Sequence, residues 1–266
     1  MLNQKILFLS LCMMSNMTFA QFDLQKDATP AVKKLLTEHY GAKFDKKKQC
    51  HIYDFTAYAE YGAEKQPYCV RVVAADFKLF NQIPTLYLAV AGDTIEEASR
   101  VDTGLGGLFI LQRKEKDWHI IAKNPYIASG GAGRSQMTDY KLIEIGQHKY
   151  AWLGEECASG AGGESSCQTN VYAPIAKKIA LIAEIESHHS YEFSSGDEYL
   201  DDNAQINILK NQPVVNGYYP ISVKVKTETG KFNRQGQKVK PQIKHHQYKM
   251  IFDVKTQKFV EVKEKK

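Results

Sequence analysis

Apolar residues fall along this chain in two rhythms. Between Pro30 and Tyr40 they recur at helical spacing, with Val32, Leu35, Leu36 and Tyr40 on one face. Thr29 stands where an N-cap belongs, Pro30 suits a first turn, and Gly41 occupies the C-terminal cap position. A helix over 30–40 is therefore expected.

Beyond Lys48 the rhythm shortens. His51–Tyr61 is rich in aromatics, Tyr68–Phe80 in β-branched residues, and Thr85–Val90 is a short apolar run between Pro84 and Gly92-Asp93. Leu108–Gln112 and Trp118–Ala122 flank the turn Lys114–Asp117, and Lys141–Ile145 and Tyr150–Leu153 flank Gly146-Gln147-His148. Further strands are expected at 171–174, 179–185, 205–209, 221–227, 249–254 and 259–262. Ile221, Val223 and Val225 alternate with Ser222, Lys224 and Lys226, which places one face inside and a lysine face in water. Short connections favour antiparallel neighbours, and no helix is legible between the strands. The expected fold is mainly β: an antiparallel meander folded as a sandwich or curled sheet, with one N-terminal helix. A small propeller-like β array is the alternative. Glycine-rich stretches at Gly104–Gly107, Gly130–Gly133, Gly160–Gly163 and Ser194–Gly196 recur about two strands apart. Read as turns, they would gather at one rim of a meander.

Composition narrows the class. The chain has 266 residues, 43% hydrophobic and 24% charged, which suits a packed domain and not a disordered one. Residues 1–20 read as a secretory leader: Lys5, an apolar stretch Ile6–Met14, and small residues around Thr18-Phe19-Ala20, with cleavage after Ala20. That apolar stretch is too short to span a bilayer, so the chain is expected to be exported, periplasmic or secreted, and not membrane-spanning. Residues 21–48 then form a segment carrying the helix, and 49–266 a β-rich domain.

Four cysteines follow the leader: Cys50, Cys69, Cys157 and Cys167. An even number in an oxidising compartment predicts disulfides. Cys157 and Cys167 lie symmetrically about Gly162, so a hairpin would bring them face to face, and closing so short a loop contributes about 3 kcal/mol in the chain-entropy model. Cys50–Cys69 follows by elimination, although a turn at Gly62–Pro67 leaves them out of register. The spacing lacks the paired Cys-x₂-Cys of a zinc site.

Charge is distributed unevenly. Residues 209–266 carry 14 Lys and Arg against 4 Asp and Glu, while seven carboxylates fall between Glu184 and Asp202 without a basic residue among them. Residues 230–247 read as a long polar loop whose Lys231, Arg234, Lys238, Lys240 and Lys244 are the candidate binding residues for a protein or an anionic envelope component. Nucleic acid is not expected, because no aromatic platform is interleaved with the lysines.

No catalytic residues are assigned. G-x-S-x-G, S-x-x-K and H-E-x-x-H are all absent. His188-His189 and His245-His246 are adjacent pairs, and in strands adjacent side chains point to opposite faces, so neither pair chelates a metal through both rings. The acidic run lacks the ligand spacing of a calcium loop. No metal or cofactor is expected. The sequence supports an exported cell-envelope binding protein without catalytic activity, with a periplasmic inhibitor or immunity-type protein as one form of that reading. A hydrolase acting on envelope polymers is the alternative, with Glu155, Glu156 and the acidic run as its nearest carboxylates.

Overall fold

The structure, a computed structural model, describes residues 19–56, 65–80, 82–99, 102–160, 163–192, 198–233, 235 and 237–262. It is mostly β, with one helix near the N-terminus and a large antiparallel sheet that does not close into a barrel. Helix α1 (Phe19–Tyr40) precedes fourteen strands: β1 (Phe44–Asp45), β2 (Cys50–Phe55), β3 (Gln66–Phe80), β4 (Ile83–Thr94), β5 (Gly104–Lys114), β6 (Asp117–Ser129), β7 (Lys141–Gly146), β8 (Lys149–Ser159), β9 (Ser165–Ile175), β10 (Lys178–Glu192), β11 (Glu198–Ile208), β12 (Ile221–Phe232), β13 (Lys238–Asp253) and β14 (Lys258–Val262). Each strand pairs antiparallel with its neighbour in sequence, except that β6 does not pair with β7. There β6 meets β10 instead, through the parallel contact Lys123↔Lys178. Among the described residues the strands form one large folded meander and not radially repeated blades, which replaces the propeller alternative.

The sheet doubles back on itself in layers. Leu86, Leu88 and Val90 of β4 and Leu105, Phe109 and Leu111 of β5 face the helix residues Ala28, Leu35, Leu36 and Tyr40. The intervening Tyr87, Ala89 and Ala91, with Leu108 and Ile110, face the other way onto Trp152, Tyr172 and Ile179 of β8–β10. The opposite face of that middle layer, including Ala151, Val171 and Ile185, packs on Ile221, Val223, Met250, Phe252 and Phe259. β4 and β5 are thus covered on both sides, which explains their near-continuous apolar runs. β12 is covered on one side, and the expected alternation holds from Val223 onward: Val223 is buried and Lys224 and Lys226 are exposed, but Ser222, expected on the wet face, is buried as well as Ile221.

The helix begins well before the expected Pro30. Pro30 lies in its interior on the exposed side, where it forfeits one backbone hydrogen bond. Anchors upstream offset that loss: Ala28 is buried, and Asp27 accepts a hydrogen bond from Trp118 Nε1 at 3.2 Å and pairs with Arg113 at 3.4 Å. The C-terminal end is as expected, with Gly41 N–H donating to the Thr37 carbonyl at 3.0 Å.

Gly104–Gly107 opens β5 and is not a turn. Its glycines provide room. A Cβ at Gly107 would lie 2.1 Å from the Tyr40 hydroxyl, which crosses there to donate to the Pro125 carbonyl at 2.7 Å. The last residue of the helix is thereby keyed into β5.

Both expected disulfides are present. Cys157 and Cys167 are directly opposite in the β8–β9 ladder. Cys50 and Cys69 are offset: the ladder pairs Ile52 with Cys69, so Cys50 reaches its partner diagonally, with Cα atoms 5.3 Å apart. That separation falls within the range of about 4.4–6.8 Å usual for a disulfide, so the offset does not prevent the bridge.

Candidate functional site: a charged sheet with a free edge

Residues 230–247, expected to be a loop, are mostly strand. β12 runs to Phe232 and β13 begins at Lys238, leaving only a short connection between them. Lysines, Pro241 and few β-branched residues hide this strand from propensity, but β12 supplies a full ladder partner for it. β11, β12 and β13 form a three-stranded sheet in which the acidic and basic segments lie side by side.

Register determines which charges meet. Glu198 stands opposite Lys231 across the β11–β12 ladder, and their side chains pair at 3.0 Å. Lys238 donates to Asp201 at 3.1 Å, lies 3.8 Å from Glu228, and holds its ammonium 4.4 Å from the centre of the Tyr199 ring. Burial acts to lower the Lys238 pKa, but the Asp201 hydrogen bond and the Glu228 charge outweigh it, so the pKa rises. Burial likewise pushes Asp201 up, and the hydrogen bonds from Lys238 and Asn203 more than reverse this. Two of the five candidate binding residues, Lys231 and Lys238, are therefore engaged within the sheet. Arg234 lies outside the described residues.

Lys240 and Lys244 are different. Both are exposed, and neither has an ion-pair partner among the described residues. Lys240 has φ +50°, in the left-handed region. It and Pro241 interrupt the ladder between Lys231↔Val239 and Thr229↔Gln242, where Gly230 stands opposite them. This is a bulge, a device that turns an edge and re-aims a side chain. Beyond it β13 pairs with β12 on one side, but β14 joins the other side only from Lys249 onward. Among the described residues, 242–248 have no ladder partner on that side; residues 263–266, which follow β14, lie outside them. Gln242 to Gln247 are exposed, and Ile243 retains 51% of its accessible surface.

The histidine pairs behave as alternation requires. His188 contacts Asn203 Oδ1 at 3.2 Å and Asp201 at 3.7 Å, while His189 turns to Glu164 at 3.5 Å and Glu186 at 4.0 Å. His245 shares a face with His188, but Asn203 and Lys226 stand between them in the register. Glu186, His189 and Asp202 bring ligand-type atoms within 4.8 Å of one another. His189 lies within ion-pair distance of Glu164 and Glu186, while Asp202 Oδ1 is buried without a hydrogen-bond partner. Glu155 lies near the Cys157–Cys167 sulfurs, which are committed to their disulfide.

The carboxylates considered for hydrolysis serve the fold. Glu156 accepts from Ser129 Oγ at 3.0 Å, from the Tyr140 hydroxyl at 2.8 Å and from Gly130 N–H at 3.4 Å, pinning the 130–133 turn to β8. Glu155 accepts from Ser187 Oγ on the other face. Gly133 N–H bonds to the Asp102 carbonyl and Gln136 accepts from Cys157 N–H, which ties the 130–136 segment to the residue run before β5 and to β8; residues 161–162 and 194–196 of the glycine-rich stretches lie outside the described residues. Tyr53 and Tyr68 belong to the helix–sheet seam, and Tyr58 and Tyr61 lie outside the described residues.

Comparison with known proteins returns no matching family model, no matching curated protein and no matching solved structure.

Proposed function

We propose that this chain is an exported cell-envelope binding protein, without catalytic activity, that takes an extended acidic segment of a partner protein along the free edge of β13. It would act in the manner of an inhibitor or immunity protein. The single observation that carries the reading is the edge at residues 242–248, which has no ladder partner among the described residues and adjoins a bulge that holds Lys240 in a left-handed conformation. An open edge offers a partner strand main-chain hydrogen bonds, and side-chain charge selects which strand is accepted. Lys240 and Lys244 supply that selection for an acidic partner. They also discourage pairing with a second copy of the same edge, where lysine would meet lysine. Export completes the proposal: a leader cleaved after Ala20 would deliver the chain to an oxidising compartment, in keeping with its two disulfides. Among the described residues no helix is long and apolar enough to cross a membrane.

The test is affinity capture from an envelope extract with the purified protein at low and high salt, followed by hydrogen exchange on the captured complex. The expected result is a partner lost at high salt, new protection confined to residues 242–248, and at least about tenfold weaker capture by the Lys240→Glu/Lys244→Glu double variant. Protection elsewhere, or capture indifferent to the double variant, overturns the reading.

A further inference from the structure

A cleft of about 460 Å³ opens where the two halves of the meander part, well removed from the β13 edge. Its floor is apolar and comes from both halves: Tyr87, Ile110 and Ala122 from β4–β6, and Ala173 from β9. Tyr150 and Tyr218 form its walls. The volume lies within the roughly 300–1,000 Å³ typical of small-molecule sites, which combine an apolar lining with a few convergent polar groups.

The polar groups are particular. Lys149 stands at the mouth with its ammonium 4.3 Å from the centre of the Tyr218 ring, and Lys78 stands 5.6 Å from that of Tyr150. Lys149 has no carboxylate partner among the described residues, whereas Lys78 interacts with the carboxylate of Asp76, and none of the Tyr87, Tyr150 and Tyr218 hydroxyls has a hydrogen-bond partner there. The nearby Glu144 is occupied by Lys210 at 3.7 Å and by the His148 N–H at 3.2 Å. Gly217, at φ +86°, makes the room for Lys149: a Cβ there would lie 2.4 Å from its Nζ. Burial, with Tyr150 nearby, pushes the Tyr87 hydroxyl up to about 12, so it remains a donor at neutral pH.

We infer that this cleft binds a single-chain anionic amphiphile, its hydrocarbon body on the Tyr87–Ile110–Ala122–Ala173 floor and its acid group at Lys149. An apolar floor without cations would suit a neutral lipid, and cations on an open surface would suit any anion. Their juxtaposition around one cavity selects a molecule that has both parts. The site is independent of the β13 edge.

The probe is sodium dodecanoate below its micellar concentration, titrated calorimetrically into the full protein, with decanol as the uncharged control and anionic phosphatidylglycerol vesicles as a second source of the same chemistry. Saturable binding of dodecanoate near one equivalent is expected. Lys149→Gln should weaken it about tenfold and leave decanol unchanged, as the loss of one charge-assisted contact predicts. Tyr150→Ala should weaken both ligands. Absence of saturable dodecanoate binding, dodecanoate binding indifferent to both variants, or binding to vesicles alone would each overturn the assignment, because the cleft accommodates a single chain and not a bilayer surface.

Discussion

β4–β5 and β11–β13 are built from the same antiparallel ladder, yet they do opposite things with it. In β4–β5 every side chain from Leu86 to Ala91 is buried, one set under α1 and the other against β8–β10. In β11–β13 one face is apolar at its inner end, the other is charged, and the outer part of β13 is exposed throughout. The first region is fixed by volume: glycines at 106 and 107 admit Met137 and Tyr40 where any larger residue would collide. The second is fixed by backbone pairing and by ion pairs that water screens. Binding surfaces are drawn from the less stable parts of a fold, because those parts retain groups to offer.

Four measurements sharpen this contrast, in decreasing order of effect. Tyr40→Ala should cost about 3–5 kcal/mol by urea unfolding, as an emptied aromatic site does. Ile243→Ala on the free edge should change stability by under about 0.5 kcal/mol. Comparable losses at the two positions would erase the distinction. Replacing Cys50 and Cys69 by Ala should remove about 3 kcal/mol, and replacing Cys157 and Cys167 somewhat less, because the second loop is shorter. Thermal melts of the two double variants, compared with the reduced protein, decide the order.

Lys240→Gly should stabilise the protein by about 1 kcal/mol, because glycine occupies the left-handed region without strain, while partner capture weakens. A variant that loses stability instead would show that the bulge is not strained. The Lys238–Asp201 pair contributes under about 1 kcal/mol, held there by solvent screening. Asp201 is depressed in the folded state, so the contribution is complete above the ordinary value of 3.8 and fades as pH falls through the lower folded value. Hydrogen exchange of β11 and β12 amides should therefore accelerate selectively in acid, and Lys238→Met should abolish that selectivity.

Legibility in the sequence follows the same division. β12 is readable because one face is wet and the residues alternate. The Cys157–Cys167 bridge is readable because a hairpin is symmetric about its turn. The start of α1 is not, because Pro30 and Thr29 present a convincing local cap that Ala28 and Asp27 override through contacts with distant strands. β13 is not, because its outer half carries no apolar periodicity and owes its strand conformation to β12. Among the candidate binding residues, charge alone marks Lys231, Lys238, Lys240 and Lys244 alike. Only register across β11–β13 separates the two that are neutralised from the two that are free. The tyrosine-walled cleft has no local signature at all, since its lining comes from strands distant in sequence.

The near-unbroken succession of neighbouring strands has a consequence for how the chain reaches this structure. Every ladder but one joins strands that are neighbours in sequence, and the exception is the single Lys123↔Lys178 contact. Contacts between sequence neighbours carry little loop-closure entropy, so hairpins can zip in order as the polypeptide lengthens. The two halves then face one late, long-range event: docking of β4–β6 onto β8–β10, with the β6–β10 contact closing behind it. Refolding should therefore show a fast phase reporting Trp118, within the first half, and a slower one reporting Trp152, at the junction.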